Sequence, residues 1–285
     1  MQIQGTTKVV GLLGWPVAHS VSPQMHNAAF AALGLDWCYI PLPAPPEALA
    51  DAVRGVRALG LRGANVTVPH KEAVIPLVDA LAPEARAIGA VNTLVVREDG
   101  RLEGHNTDAL GVRAALEAAG CPVEGVRALV LGAGGAARAA AYALLQGGAE
   151  VQVLARRPAQ AEALARDLEQ AFPGSRIVPG PLLPQALPRA AQEAHLLVQA
   201  TPVGMWPHGD GSLWPEEDPL PPHLWVFDLV YRPARTRLLR QAEASGARTI
   251  EGAWMLIHQA AASFRLWTGV EPPLDAMAEA CWAAL

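Results

Sequence analysis

Hydrophobic and polar positions along this chain alternate on two length scales. Short apolar runs at Val9–Leu13, Trp37–Pro41 and Gly63–Val68 each precede a longer stretch with helical spacing, at Pro23–Leu35, Glu47–Leu59 and Glu72–Ile88. Such a succession predicts strand–helix–strand units. The rhythm restarts after Cys121-Pro122, with strands expected at Arg127–Leu131, Glu150–Leu154, His195–Gln199 and Leu224–Leu229 and helices at Gly135–Leu145 and Ala159–Ala171. This second half has the pattern of a doubly wound sheet. Two segments rich in Pro and Gly, Pro179–Pro188 and Trp206–Pro222, read as surface loops because apolar strands resume after each. Three apolar helical stretches close the chain, Thr236–Ser245, Trp254–Thr268 and Leu274–Leu285, with no strand expected between them.

Composition narrows the classes. A length of 285 residues suits two domains better than one core. With 51% hydrophobic and 17% charged residues the chain has ample apolar surface to offset its ordering entropy, which excludes a disordered protein. A net charge of −5 leaves no cationic surplus for a phosphate backbone or an anionic membrane, so neither nucleic acid nor lipid is an expected partner. The longest stretch without Lys, Arg, Asp or Glu, Val9–Leu35, is interrupted by His19, Ser20, Ser22, Gln24, His26 and Asn27 and cannot serve as a spanning helix. Residues 1–5 show neither a basic start nor an apolar signal core, and a cytoplasmic protein is expected. Cys38, Cys121 and Cys281 lie far apart, without a Cys-x-x-Cys or Cys/His cluster, so no metal and no disulfide framework are expected.

The clearest chemical motif is Gly132-Ala133-Gly134-Gly135-Ala136-Ala137, placed between an expected strand and an expected helix. It fits the dinucleotide fingerprint: the first glycine permits the tight turn, Gly134 lets backbone approach a pyrophosphate, and Ala137 permits close helix–strand packing. The end of the next strand selects the nucleotide. It reads Ala155-Arg156-Arg157, with no acid to take a ribose 2′-hydroxyl, which favours a 2′-phosphate and hence NADP; two solvated arginines are the alternative.

Scarce polar residues gather elsewhere. The chain has only two lysines, Lys8 and Lys71, and four asparagines, three of them in Asn65-Val-Thr67-Val-Pro-His-Lys71, Val91-Asn92-Thr93 and Asn106-Thr107-Asp108. Each segment falls at a strand end or in the following loop, where α/β sites are built and where a polyhydroxylated ligand would find hydrogen bonds. Lysine among so many arginines suggests proton exchange, although an ordinary helix-start residue is the competing reading of Lys71. Ser20 and Ser22, beside the start of the first helix, suit a carboxylate; equally, Ser22 could cap that helix.

Taken together these residues resemble bacterial shikimate dehydrogenases, which interconvert 3-dehydroshikimate and shikimate. The resemblance spans the chain through His19-Ser-Val-Ser-Pro23, Asn65-Val-Thr-Val-Pro-His-Lys-Glu72, Ala90-Val-Asn-Thr-Leu94, Asn106-Thr-Asp108, Gly132–Ala136, Ala200-Thr-Pro-Val-Gly-Met205, Asp228-Leu-Val-Tyr231 and Gly252-Ala-Trp-Met-Leu-Ile-His-Gln-Ala260. It implies two α/β domains: a substrate domain, 1–105 plus 240–285, completed by the C-terminal helices, and a Rossmann domain, 106–239, with the active site in the cleft between them. It implies shikimate as substrate and NADP(H) as cofactor, and leaves a homodimer open.

Residue by residue, the resemblance implies that Ser20 and Ser22 hold the substrate carboxylate and that Thr67, Lys71, Asn92, Asp108, Tyr231 and Gln259 surround the ring hydroxyls. Lys71, with Asp108, would carry the proton; a lysine ammonium, with an ordinary pKa of about 10.4, is a ready acid for a developing alkoxide. Gly132, Ala133, Gly134, Gly135 and Ala136, with Ala155, Arg156 and Arg157, would carry NADP, and Leu229, Gly252 and Met255 would lie near the nicotinamide. Family members commonly read Asn-Arg-Thr where this chain has Ala155-Arg156-Arg157, so only Arg156 matches there. An NAD-using quinate/shikimate dehydrogenase of the same fold is the alternative, and the two arginines argue against it.

Overall fold

The computed structural model describes residues 2–285 and divides the chain into two compact units. The first runs through Thr107 and is completed by Ile257–Ala284; the second is Asp108–Leu256.

In the first unit, β1 (Lys8–Gly14) pairs in parallel with β2 (Trp37–Pro43) and β3 (Gly63–Val66), with α1 (Ser22–Ala32) and α2 (Leu49–Ala58) as crossovers. Five consecutive residues of β1, Val10–Gly14, are buried, the pattern of a strand covered on both faces. The expected helix over 72–88 does not form. Pro76 and Pro83 each lack the N–H a helix interior requires, and the segment becomes a short helical turn at Ile75–Leu77, strand β4 (Ala80–Leu81) and helix α3 (Pro83–Ile88). The sheet is also mixed, because β5 (Thr93–Val96) and β6 (Leu102–His105) form an antiparallel hairpin. Their connection, 97–101, is too short for a parallel crossover and turns at Gly100, φ +80°.

Strand order is β2-β1-β3-β5-β6-β4. Since β5 runs antiparallel to both β3 and β6, the last residues of β1, β3 and β6 and the first of β5 fall on one edge of the sheet. Asn65, Thr93 and His105 stand in register across three adjacent strands there.

The second unit opens with α4 (Asp108–Ala118) and then builds β7 (Arg127–Leu131), α5 (Gly135–Gln146), β8 (Glu150–Ala155), α6 (Pro158–Ala171), β9 (Ile177–Pro181), α7 (Leu187–Gln192), β10 (Leu196–Gln199), β11 (Trp225–Asp228), α8 (Arg237–Ala244) and β12 (Arg248–Glu251). All six strands are parallel, in the order β12-β11-β10-β7-β8-β9. Strand order reverses between β7 and β10, and a nucleotide belongs outside the carboxyl ends at such a reversal.

Two expectations fail in this unit. Part of the loop assigned to Pro179–Pro188 is β9, whose prolines are tolerated because it is an edge strand. A strand does separate the closing helices: β12 pairs with β11, so the second unit continues to Leu256 rather than ending at 239, and it begins at Asp108 rather than 106. By contrast, Trp206–Pro222 has no helix or strand. It is anchored by buried Trp214, whose indole N–H donates to the Asp218 carbonyl at 2.7 Å.

The chain returns to the first unit along α9 (Gly252–Thr268) and α10 (Leu274–Ala284), and α10 packs on α1. Trp267 donates to the Leu94 carbonyl at 2.9 Å, and Phe264 joins Phe30, Tyr39 and His26 in an aromatic core. His26 stacks on Tyr39 at 4.4 Å; full burial pulls its imidazole pKa down to about 3, so it packs as a neutral ring. Among the described residues no helix is long and apolar enough to cross a membrane.

Candidate active site

The strand ends of the first unit converge on a buried polar network. The Asn65 amide donates to the Asn92 carbonyl (3.1 Å), Thr93 Oγ1 (3.1 Å) and Ser263 Oγ (2.9 Å), and its Oδ1 accepts from the Tyr39 hydroxyl at 2.9 Å. Asn92 Oδ1 accepts from the Thr107 backbone N–H at 2.7 Å, while its amide reaches Thr107 Oγ1 at 2.9 Å and Gln259 Oε1 at 3.3 Å. Ser263 Oγ lies 2.8 Å from Thr93 Oγ1 and 3.0 Å from Thr107 Oγ1. Every member is buried, so the groups fix one another's orientation and present Asn92 and Gln259 in set rotamers.

Around that floor lie the loops after β1 and β3. Thr67 and Lys71 are half-buried, and the Lys71 carbonyl accepts from the Val91 N–H at 2.7 Å, which ties the lysine's segment to the one carrying Asn92. His70 is buried and bonds the Ala44 carbonyl through Nε2 at 2.7 Å. Ser20 Oγ donates to Ser22 Oγ at 3.2 Å and accepts from the Ser22 N–H at 3.2 Å. The residue preceding α1 is Val21, and no side chain caps the helix. The two hydroxyls face each other, and Ser22 is the first residue of α1 rather than its cap, which removes the capping reading of Ser22; the one helix amide they meet is that of Ser22, held by Ser20 Oγ.

In the second unit the glycine turn sits where the strand order reverses. Gly132 has φ +114°, and a Cβ there would lie 2.9 Å from the Ala200 carbonyl oxygen, so both its conformation and the adjoining loop after β10 require glycine. At Gly134 the requirement differs: its φ is −84° and the space beside its Cα is open. Helix α5 starts without a side-chain cap, leaving its first N–H groups and positive dipole end for an anion. These features fit a pyrophosphate. Beyond β8, Arg156 and Arg157 are exposed, the latter donating to Gln160 at 2.9 Å. Ala155 is taken up by the sheet: it is 3% exposed and its carbonyl accepts from the Leu182 N–H.

The two glycines should separate experimentally. Gly132→Ala is expected to destabilise the fold by about 1–3 kcal/mol through strain at positive φ. Gly134→Ala should melt like the parent yet raise KM for NADPH by about tenfold or more, because only the approach of the phosphate is blocked. Thermal melts and cofactor titrations on both variants check this pair.

Models of known families match this chain twice, as the shikimate dehydrogenase substrate binding domain over residues 12–94 and as the shikimate 5′-dehydrogenase C-terminal domain over 252–281. The shikimate dehydrogenase (NADP+) of Methanothermobacter thermautotrophicus is 46% identical, the match covering 98% of this chain and 97% of that one. The chain belongs to the shikimate dehydrogenase family. Among solved relatives, shikimate 5-dehydrogenase of Thermus thermophilus, crystallised with NADP(H) and shikimate, is 46% identical with a TM-score of 0.86, covering 98% of this chain and all of that one. Quinate dehydrogenase of Corynebacterium glutamicum, in complex with NAD, is 34% identical with a TM-score of 0.88, covering 97% of this chain and 99% of that one.

Within this family the expected residues divide between the two units. Ser20, Ser22, Thr67, Lys71, Asn92 and Gln259 belong to the first, and Asp108, Tyr231, Leu229, Gly252, Met255 and the glycine turn to the second. Asp108 opens α4 and is buried; Tyr231 and Leu229 are half-buried in the loop after β11. Gly252 is tightly placed, since a Cβ would come within 2.6 Å of the Asp228 carbonyl oxygen. Sequence reading missed Tyr39 and Ser263 beneath the first cluster and the Gln199–Asp228–Thr236 group beneath the second. Neither Tyr39 nor Ser263 carried a usable signal, because the Tyr39–Asn65 and Ser263–Asn65 hydrogen bonds join residues 26 and 198 apart in sequence.

Proposed function

We propose that this chain reduces 3-dehydroshikimate to shikimate with NADPH and runs the reaction in reverse with NADP+. The observation that carries the reading is the buried Asn65–Thr93–Asn92–Thr107 network at the strand ends, which fixes amides and hydroxyls beside Thr67 and Lys71 as a polyhydroxylated ring requires. Full-length similarity to shikimate dehydrogenases supports it independently.

The nicotinamide of bound NADPH supplies the hydride. Gly134 and the start of α5 receive its pyrophosphate, and Arg156, with Arg157 beside it, takes the 2′-phosphate. Ser20 and Ser22 donate to the substrate carboxylate, turning outward the hydroxyl groups that now face each other. Thr67, Asn92, Gln259 and Tyr231 bind ring hydroxyls and set the carbonyl's orientation. Lys71 delivers a proton to the oxygen as it gains negative charge, and withdraws it when shikimate is oxidised, with Asp108 as its partner in proton transfer. A cytoplasmic location belongs to the same proposal, supported by three cysteines that are all buried and unpaired.

Loss of NADPH absorbance on adding 3-dehydroshikimate tests the reading directly, and no oxidation above the rate without substrate would refute it. Cofactor choice has its own test. Arg156→Ala is expected to raise KM for NADP+ at least about tenfold while leaving KM for NAD+ nearly unchanged, since a guanidinium that holds only a 2′-phosphate has nothing to hold on NAD. Equal weakening of both cofactors would move Arg156 to a shared part of the nucleotide.

A further inference from the structure

Asp228 ends β11 with its carboxylate 1% exposed, and its hydrogen-bond partners are all neutral. Oδ1 accepts from the Val230 backbone N–H at 3.0 Å and from the Gln199 amide at 3.4 Å, and Oδ2 accepts from the Thr236 hydroxyl at 2.6 Å. Thr236 in turn caps α8 by accepting the Leu239 N–H at 3.2 Å. Gln199, opposite Asp228 in the sheet register, holds the loop after β10: its Oε1 accepts from the Thr201 N–H at 2.6 Å, and its amide donates to the carbonyls of Thr201 (3.1 Å) and Val203 (3.0 Å). That loop abuts the glycine turn, since a Cβ on Gly132 would strike the Ala200 carbonyl.

A carboxylate placed this way is costly. Burial pushes its pKa up to about 7, well above the usual range, and no cation among its partners offsets the loss of hydration. Asparagine would be cheaper to bury, but with its one oxygen kept on the Val230 N–H it would turn an N–H toward Thr236, reversing that bond and leaving the Thr236 hydroxyl hydrogen without its acceptor. The two-oxygen acceptor is what lets one side chain hold the loop after β10, the loop after β11 and the start of α8 together.

We infer that Asp228 is a positioning residue for the cofactor: through Gln199 and Thr236 it fixes the wall of the crevice facing the Gly132–Ala136 turn. The inference rests on the reading that NADPH binds at that turn, and it assigns Asp228 no contact with the reacting atoms. A residue that merely stabilised the fold would affect melting and leave affinities alone.

The test is equilibrium binding of NADPH to the full chain, followed by protein fluorescence without substrate, alongside KM for NADP+ and for shikimate. Asp228→Asn is expected to weaken NADPH binding on the order of tenfold, with KM for shikimate within about twofold and a melting temperature equal to or above the parent's. Thr236→Val should weaken NADPH in the same direction, and Thr236→Ser, which keeps the hydroxyl, should restore it; this pair stands even if Asp228→Asn fails to fold. Unchanged NADPH affinity in both Asp228→Asn and Thr236→Val would overturn the inference, as would equal loss toward shikimate and cofactor. Gly134→Ala, measured in parallel, separates the two failures. If it too binds NADPH normally, the cofactor site itself is misplaced; if it alone weakens binding, only the role of Asp228 is wrong.

Discussion

Replacing Lys71 with alanine is expected to lower kcat by at least about a hundredfold while KM for shikimate changes far less, because a group that moves a proton acts on the transition state more than on ground-state binding. The substitution leaves the backbone link intact, since it is the Lys71 carbonyl that accepts from Val91. Lys71→Arg should be nearly as inactive: guanidinium keeps the charge but does not release a proton near neutral pH. A kcat within about threefold of the parent would pass the proton to Asp108 as sole carrier, whereas parallel losses in KM and kcat would make Lys71 a binding residue.

The second large effect is expected at the paired hydroxyls. Removing both Ser20 and Ser22 as alanines should raise KM for shikimate roughly a hundredfold, since two hydrogen bonds to a charged group are together worth on the order of 3 kcal/mol. KM for NADP+ should stay nearly constant. Helix capping would have given the opposite signature, a lower melting temperature with intact affinity, but α1 starts after Val21 with no side-chain cap. Measuring melting and KM on the one double variant settles the assignment, and a destabilised protein with normal shikimate affinity would contradict it.

How much of this was readable beforehand depended on how local the determining interaction is. Strands β1 and β7 and helix α5 stood out because each is a largely apolar or alanine-rich run beside glycine, and each of the two strands pairs in parallel with both its neighbours and is buried over most of its length. The hairpin β5–β6 and the strands β4, β9 and β12 were missed: they are two to five residues long, and several contain proline or charge that only an edge or a partner strand can accommodate. The candidate site followed the same division. Lys71 and Asn92 were visible as rare residues near strand ends, and the glycine turn as a motif between a strand and a helix. Ser263 was not, because its link to Asn65 joins residues 198 apart in sequence and exists only once α9 has returned to the first sheet. Asp228 escaped for a different reason. It was read as one letter of a motif, and its cost is evident only from burial without a cation.

The central claim, that this chain oxidises shikimate with NADP+, stands or falls on one measurement: steady-state kinetics of the purified protein across shikimate and quinate, each with NADP+ and NAD+. The account predicts the highest kcat/KM for shikimate with NADP+, with both replacing NADP+ by NAD+ and replacing shikimate by quinate costing at least about an order of magnitude, or about 1.4 kcal/mol in each case. Comparable or faster turnover of quinate with NAD+ would contradict it and place the chain with the quinate-oxidising members of the fold.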